Sequence, residues 1–242
     1  NFLTKKINYI KNKNLKILHI STFDEKNDHR LFNISIANKL TKGFIRNGHD
    51  VVNFSYRDYR DKFLLKNNSA LSEKVYKITS NYRPDLILLG HNNVLNLNII
   101  EKIKSEYKTK FALWYEDHLI KDGPNYLNNL HLIEKNKDLI DQYFLTIFPD
   151  LINTEIPKYK MNFMPIPADK NIENLEIYNS NNRYKDLFFA LSHGVNFGKL
   201  KSRNIDERET FLSELINKNK KFTFNLLGYG NEQPKWNYQY FK

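Results

Sequence analysis

The sequence predicts an α/β protein made of two doubly wound, Rossmann-like parallel sheets, the first complete and the second only begun. Three observations carry this. From Lys16 onward, short apolar runs rich in Ile, Leu, Val and Phe alternate with longer segments of helical spacing, which is the pattern of βα units. One of those runs, DLILLGH (85–91), lacks polar alternation and reads as a strand buried on both faces. The alternation breaks at NTEIPKYKMNFMPIPADK, with its three prolines, and resumes at residue 186.

The elements follow in order. LKILHIST (15–22) is the first strand and FDEKNDHRLFN a polar loop. ISIANKLTKGFIRNGH is a helix whose Ile34, Ala37, Leu40, Phe44 and Ile45 share one face, before Gly48 stops it. DVVNFSY (50–56) is the second strand. A helix near 70–82 ends ahead of Pro84, and the strand 85–91 leads into the helix NLNIIEKIKSEYK. KFALWYEDH (110–118) is a further strand, followed by a helix near 125–140 and the strand QYFLTIF (142–148). The second series is DLFFALSHG (186–194), a helix near 206–219, and KFTFNLLGYG (221–230).

This reading divides the chain into a basic N-terminal arm (1–14), a Rossmann-like domain (15–160), a proline-containing linker (161–183) and a partial second domain (184–242). Two strands and one or two helices cannot bury both faces of a parallel sheet, so the sequence is expected to belong to a longer chain. The absence of an initiating Met points the same way.

Composition narrows the function. At 40% hydrophobic and 14% aromatic residues the chain is too apolar for disorder, and it has no apolar run long enough to span a bilayer. There is no Cys, which excludes disulfides, thiolate metal sites and cysteine nucleophiles and is compatible with a cytoplasmic location. The 38 basic against 27 acidic side chains, a formal charge of +11, favour anionic partners such as nucleotide phosphates or an anionic membrane surface. Five lysines and no acids within residues 1–16 suit peripheral attachment to the inner membrane. Nucleic acid as a partner would rest on charge alone and is not expected.

Several signatures are missing: no P-loop, no H-E-x-x-H, no G-x-S-x-G, and no D-x-D to hold a metal on a nucleotide sugar. STFDEKNDH after the first strand lacks the glycines of a dinucleotide fingerprint. No metal and no cofactor are expected, apart from a co-substrate.

Ligands of open α/β sheets bind beyond the carboxyl ends of the strands. Strand one leads there to Asp24, Asp28, His29, Arg30 and Asn33; the third strand to Gly90, His91 and Asn92; the fourth to Glu116, Asp117 and His118. Consecutive residues on a strand point to opposite faces, so the E-D-H triplet does not suit one metal ion. A carboxylate from it suits a general base or a clamp on a sugar hydroxyl. His118 is either part of that group or a cap on the next turn. His19 and His131, inside a strand and a helix, read as structural.

At the end of the first strand of the second series, His193, Gly194, Asn196 and Gly198 are followed by Lys199 and then by Asp206, Glu207, Arg208 and Glu209 at a helix start. A glycine-bearing loop with backbone N–H groups and a nearby Arg or Lys neutralises a diphosphate without metal. Gly228, in LLGYG, is a weaker candidate for the same task.

ALSHGVNFGKLKSRNIDERETFLSEL, together with KILHISTFDEKNDHRLFNISIANKLTKGFIRNGHDVVNF and FALWYEDHL, resembles the CgeB-like glycosyltransferases of spore maturation and lipopolysaccharide assembly. The resemblance implies a GT-B architecture, with the acceptor mainly on the first domain and the nucleotide-diphosphate sugar mainly on the second. By it, His193, Gly194, Asn196 and Gly198 lie at the donor's phosphates with Arg208 nearby. Asp24, Arg30, Asn33 and His91 fall to the acceptor, a glycan or lipid-linked molecule, and Asp117 or Glu116 to the base, with His29 as the next candidate. Such enzymes continue with further βα units beyond the point where this sequence stops. The rival reading is a non-catalytic α/β module that binds an anionic glycan or a partner protein.

Overall fold

A computed structural model describes residues 14–23, 35–63, 69–90, 95–121, 123, 125–171, 173, 187–192, 207–219 and 224–229. The chain divides into two compact units, Asn1–Asn174 and Leu175–Lys242.

The first unit is a six-stranded, wholly parallel sheet flanked by helices. Its elements are β1 (Lys16–Ser21), α1 (Ile36–Arg46), β2 (Asp50–Ser55), α2 (Tyr56–Phe63), α3 (Ser69–Tyr82), β3 (Leu86–Gly90), α4 (Leu97–Tyr107), β4 (Lys110–Tyr115), α5 (Tyr126–Glu134), β5 (Gln142–Leu145) and β6 (Met161–Phe163). The spatial order is β2-β1-β3-β4-β5-β6. The chain therefore steps outward from β1 to β2 and then crosses back over β1 to β3. That reversal makes the β1/β3 boundary the topological switch point, where an open α/β sheet parts its loops and admits a ligand.

The central strands β1, β3 and β4 are buried on both faces because each face is roofed, whereas the edge strand β2 is only partly covered. Ile17, Leu88, Ala112 and Trp114 face α1, which contributes Leu40 and, less deeply, Ile36 and Phe44. Leu18, Ile20, Ile87, Leu89, Phe111, Leu113 and Tyr143 line the other face, against Leu71 and Val75 of α3, Ile100 and Ile103 of α4, and Ile133 of α5. Burial on this scale is the main favourable term in folding, roughly 25 cal/mol per Å² of apolar surface.

Local signals set the helix ends. Ser35 caps α1, its hydroxyl accepting from the Asn38 N–H at 3.3 Å, and Gly48 (φ 84°) follows the end of the helix. Ile45, expected on the apolar face of α1, is 54% exposed; Ala37, Leu40 and the polar Asn38 and Thr41 form the buried stripe instead. The helix expected to run to residue 140 stops at Glu134 and passes into turns. Two elements were not expected: α2, whose sequence YRDYRDKF is mostly polar, and β6. The latter pairs in parallel with β5 inside the segment its prolines marked as a connection. Beyond it, Arg46 of α1 donates both terminal nitrogens to Asp169 Oδ1 at 3.1 Å, and Lys39 of α1 pairs with Glu173, which pins residues 169–173 to that helix.

In the second unit, β7 (Leu187–Ser192) and β8 (Phe224–Tyr229) pair in parallel with α6 (Glu207–Lys218) between them in sequence. This is the βαβ arrangement that the second series predicted.

Candidate functional site at the carboxyl edge

β4 delivers the group best suited to chemistry. Its side chains are buried through Tyr115; Glu116 is partly covered and Asp117 and His118 are exposed, so the triplet emerges as the strand leaves the sheet. The neighbouring strand fixes this emergence. Thr146, just past β5, donates its N–H to the Tyr115 carbonyl (3.4 Å) and its hydroxyl to the Glu116 carbonyl (3.1 Å). Burial pushes the Tyr115 hydroxyl up, and the Asp117 and Glu116 carboxylates add to it, so this phenol stays protonated beneath the two acids.

His118 turns out to be a turn cap. Its Nδ1 accepts from the Ile120 N–H at 3.2 Å, and its carbonyl accepts from Asn129 Nδ2 at 2.9 Å. Gly123 packs against the ring so closely that a Cβ there would lie 2.3 Å from Nδ1. The imidazole is thus committed to shaping the turn that follows the two carboxylates. Beyond that turn lies an open hollow of about 600 Å³, lined by Lys121, Gly123, Asn125, Tyr126, Leu127 and Asn128. Its size falls within the range of small-molecule sites. Asn125 enters α5 in the left-handed region (φ 56°) without a side-chain cap, and the Tyr126 N–H donates to the Gly123 carbonyl at 3.2 Å.

β1 and β3 meet at the switch point, and here a buried polar chain appears that sequence reasoning did not find. His19 is fully buried on the α1 face of β1. The Thr41 hydroxyl donates to Asn53 Oδ1 at 2.9 Å, so it accepts from His19 Nδ1–H, also at 2.9 Å. This fixes the tautomer: Nδ1 carries the proton and Nε2 an open lone pair. Burial lowers the pKa to about 3, keeping the ring neutral. Among the described residues Nε2 has no partner, nor does the Trp114 indole N–H on the same face. A buried polar atom left unsatisfied costs ~1–3 kcal/mol.

Of the residues the sequence singled out, Glu116 and Asp117 stand together at the carboxyl edge. Arg208 lies in the first turn of α6, and Gly228 lies within β8 in register with Leu191 rather than in a loop. Asp24, His29, Arg30, Asn33, His91, His193, Gly194, Asn196, Gly198 and Lys199 lie outside the described residues.

No family model matches the sequence, and no curated protein does. Similar solved structures include two sugar-nucleotide epimerases. One is UDP-N-acetylglucosamine 2-epimerase from Rickettsia bellii, at 12% identity and a TM-score of 0.49, covering 90% of this chain and 62% of that one. The other is UDP-GlcNAc 2-epimerase from Neisseria meningitidis bound to UDP-GlcNAc, at 13% identity and a TM-score of 0.47, covering 89% of this chain and 66% of that one. The chain spans less than two thirds of the length of either.

Proposed function

We propose that the protein is a sugar-nucleotide enzyme of the CgeB-like kind: a metal-independent glycosyltransferase that moves a sugar from a nucleotide-diphosphate sugar to a hydroxyl of a lipopolysaccharide or other surface glycan. The observation that carries this reading is the emergence of Glu116 and Asp117 from a parallel sheet's carboxyl edge, above a neutral phenol and beside an open hollow. In an inverting transfer, a carboxylate within hydrogen-bond reach takes the acceptor hydroxyl's proton as the oxygen attacks the anomeric carbon, and the nucleoside diphosphate leaves. Asp117, the more exposed of the two, is the base in this proposal; Glu116 orients the acceptor. Lys121 gives the lining of the hollow a positive charge suited to an acidic glycan. The leaving diphosphate falls to the His193 loop and Arg208. The basic arm suits peripheral attachment to an anionic membrane that carries a lipid-linked acceptor; among the described residues no helix is long and apolar enough to cross one.

Saturation-transfer NMR of the chain with UDP, GDP and ADP tests the reading. Transfer to at least one nucleotide, competed by its diphosphate sugar, is expected; no transfer to any of the three would overturn it.

A further inference from the structure

The hollow beyond the E-D-H triplet is joined to the proposed base by contact. Gly123, part of its lining, packs on the imidazole of His118, the residue after Asp117, and that imidazole in turn holds the Ile120 N–H at 3.2 Å. The hollow therefore opens beside the turn that leaves the base. A glycan whose accepting hydroxyl meets Asp117 has its adjoining sugar on this side of the edge.

Its polar groups are uncommitted. Lys39, Lys104 and Lys137 of the same unit each pair with a carboxylate, whereas Lys121 meets none among the described residues. The side chains of Asn125 and Asn128 likewise make no hydrogen bond there, and each amide offers both donors and an acceptor. Leu127, 76% exposed, and the half-buried Tyr126 add an apolar wall. Charge then selects the ligand. The described lining holds one cation and no carboxylate. A single ammonium matches a carboxylate monoanion, while a phosphate dianion on it would keep surplus negative charge. The amides suit neighbouring hydroxyls, and the apolar wall suits the C–H face of a ring. A sugar ring that bears a carboxylate carries all three.

We propose that this hollow is the acceptor subsite for a uronic-acid-type sugar, one bearing a carboxylate, and that Lys121 is the residue that selects an acidic over a neutral acceptor. The subsite deepens the proposed function and rests on it for the identity of the ligand as part of the acceptor. Lys121 binds and selects in this site; the proton transfer stays with Asp117.

The test is amide chemical-shift mapping of the whole chain, titrated separately with glucuronate, glucose, glucose 6-phosphate and UDP. Glucuronate is expected to perturb Lys121, Gly123 and Asn125–Asn128 and to bind about tenfold more tightly than glucose, the size of one charge-assisted contact. K121M is expected to lose that preference and bind the two sugars alike. Lys121 is exposed, so the variant keeps the fold, and its remaining amide resonances check this. Glucuronate that leaves these residues unmoved, a K121M chain that retains the preference, or tighter binding of glucose 6-phosphate than of glucuronate would each overturn the subsite. UDP separates the two readings: glucuronate shifts at the hollow without UDP binding remove the transferase and keep an acidic-sugar site, and UDP binding without glucuronate shifts does the reverse.

Discussion

Asp117 and His19 divide the chemistry of the carboxyl edge between a charged group in water and a neutral one out of it. As the proposed base, Asp117 replaced by Asn should lower kcat by about 10²- to 10⁴-fold and leave the melting temperature near wild type, because the side chain is exposed; transfer assays on purified D117N check this. His19 reports through stability instead. Its folded pKa, about 3, lies below the unfolded value of 6.5, so on acidification the unfolded chain takes up the proton first. The stabilisation is complete above 6.5 and is lost as the pH falls toward 3, with a slope of up to ~1.4 kcal/mol per pH unit from this one site. Urea unfolding of H19Q across that window should give a flatter dependence than wild type; an equal slope would show that other groups carry it. Glu116 and Asp117 were legible as residues at a strand's end. The bond from His19 to Thr41 and on to Asn53 was not, because it joins a strand, a helix and a second strand by side chains that follow no period.

At the scale of elements, the clearest signals were local stops. Gly48 and Pro84 ended their helices as expected, since positive φ and a missing N–H act within a turn. α2 escaped because its charged residues hide its amphipathic face, and β6 because prolines follow it closely. An edge strand of three residues tolerates such neighbours, having only β5 to bond. Two junctions give predictions. Lys108 caps α4 in the left-handed region (φ 56°), so K108G should raise stability by about 0.5–1 kcal/mol in urea unfolding. Asp141 is half-buried, which works to raise its pKa. The Lys104 ammonium at 2.8 Å, the Phe111 N–H at 2.9 Å and Lys110 outweigh that and hold it below the usual carboxylate range. It ties α4 and β4 to the start of β5, and D141N should cost ~1–3 kcal/mol by the same measurement.

At the scale of the whole molecule, the alternation of strands and helices was readable because βα units repeat one burial pattern. The strand order was not, since nothing local says that the chain returns across β1 after β2. That return creates the switch point, and with it the setting of Gly90 and His19. The sequence likewise marked β4's end as reactive without showing that His118 is spent on the turn. The central claim is that the carboxyl edge of the six-stranded sheet is where ligand chemistry occurs. Amide chemical-shift mapping of the chain with a UDP-sugar and a GDP-sugar tests it most directly. Perturbations are expected at Ser21–Phe23, Glu116–His118 and Lys121–Asn128. Perturbations confined to the opposite edge, at Lys16, Asp85 and Lys110, or none at all, would contradict it.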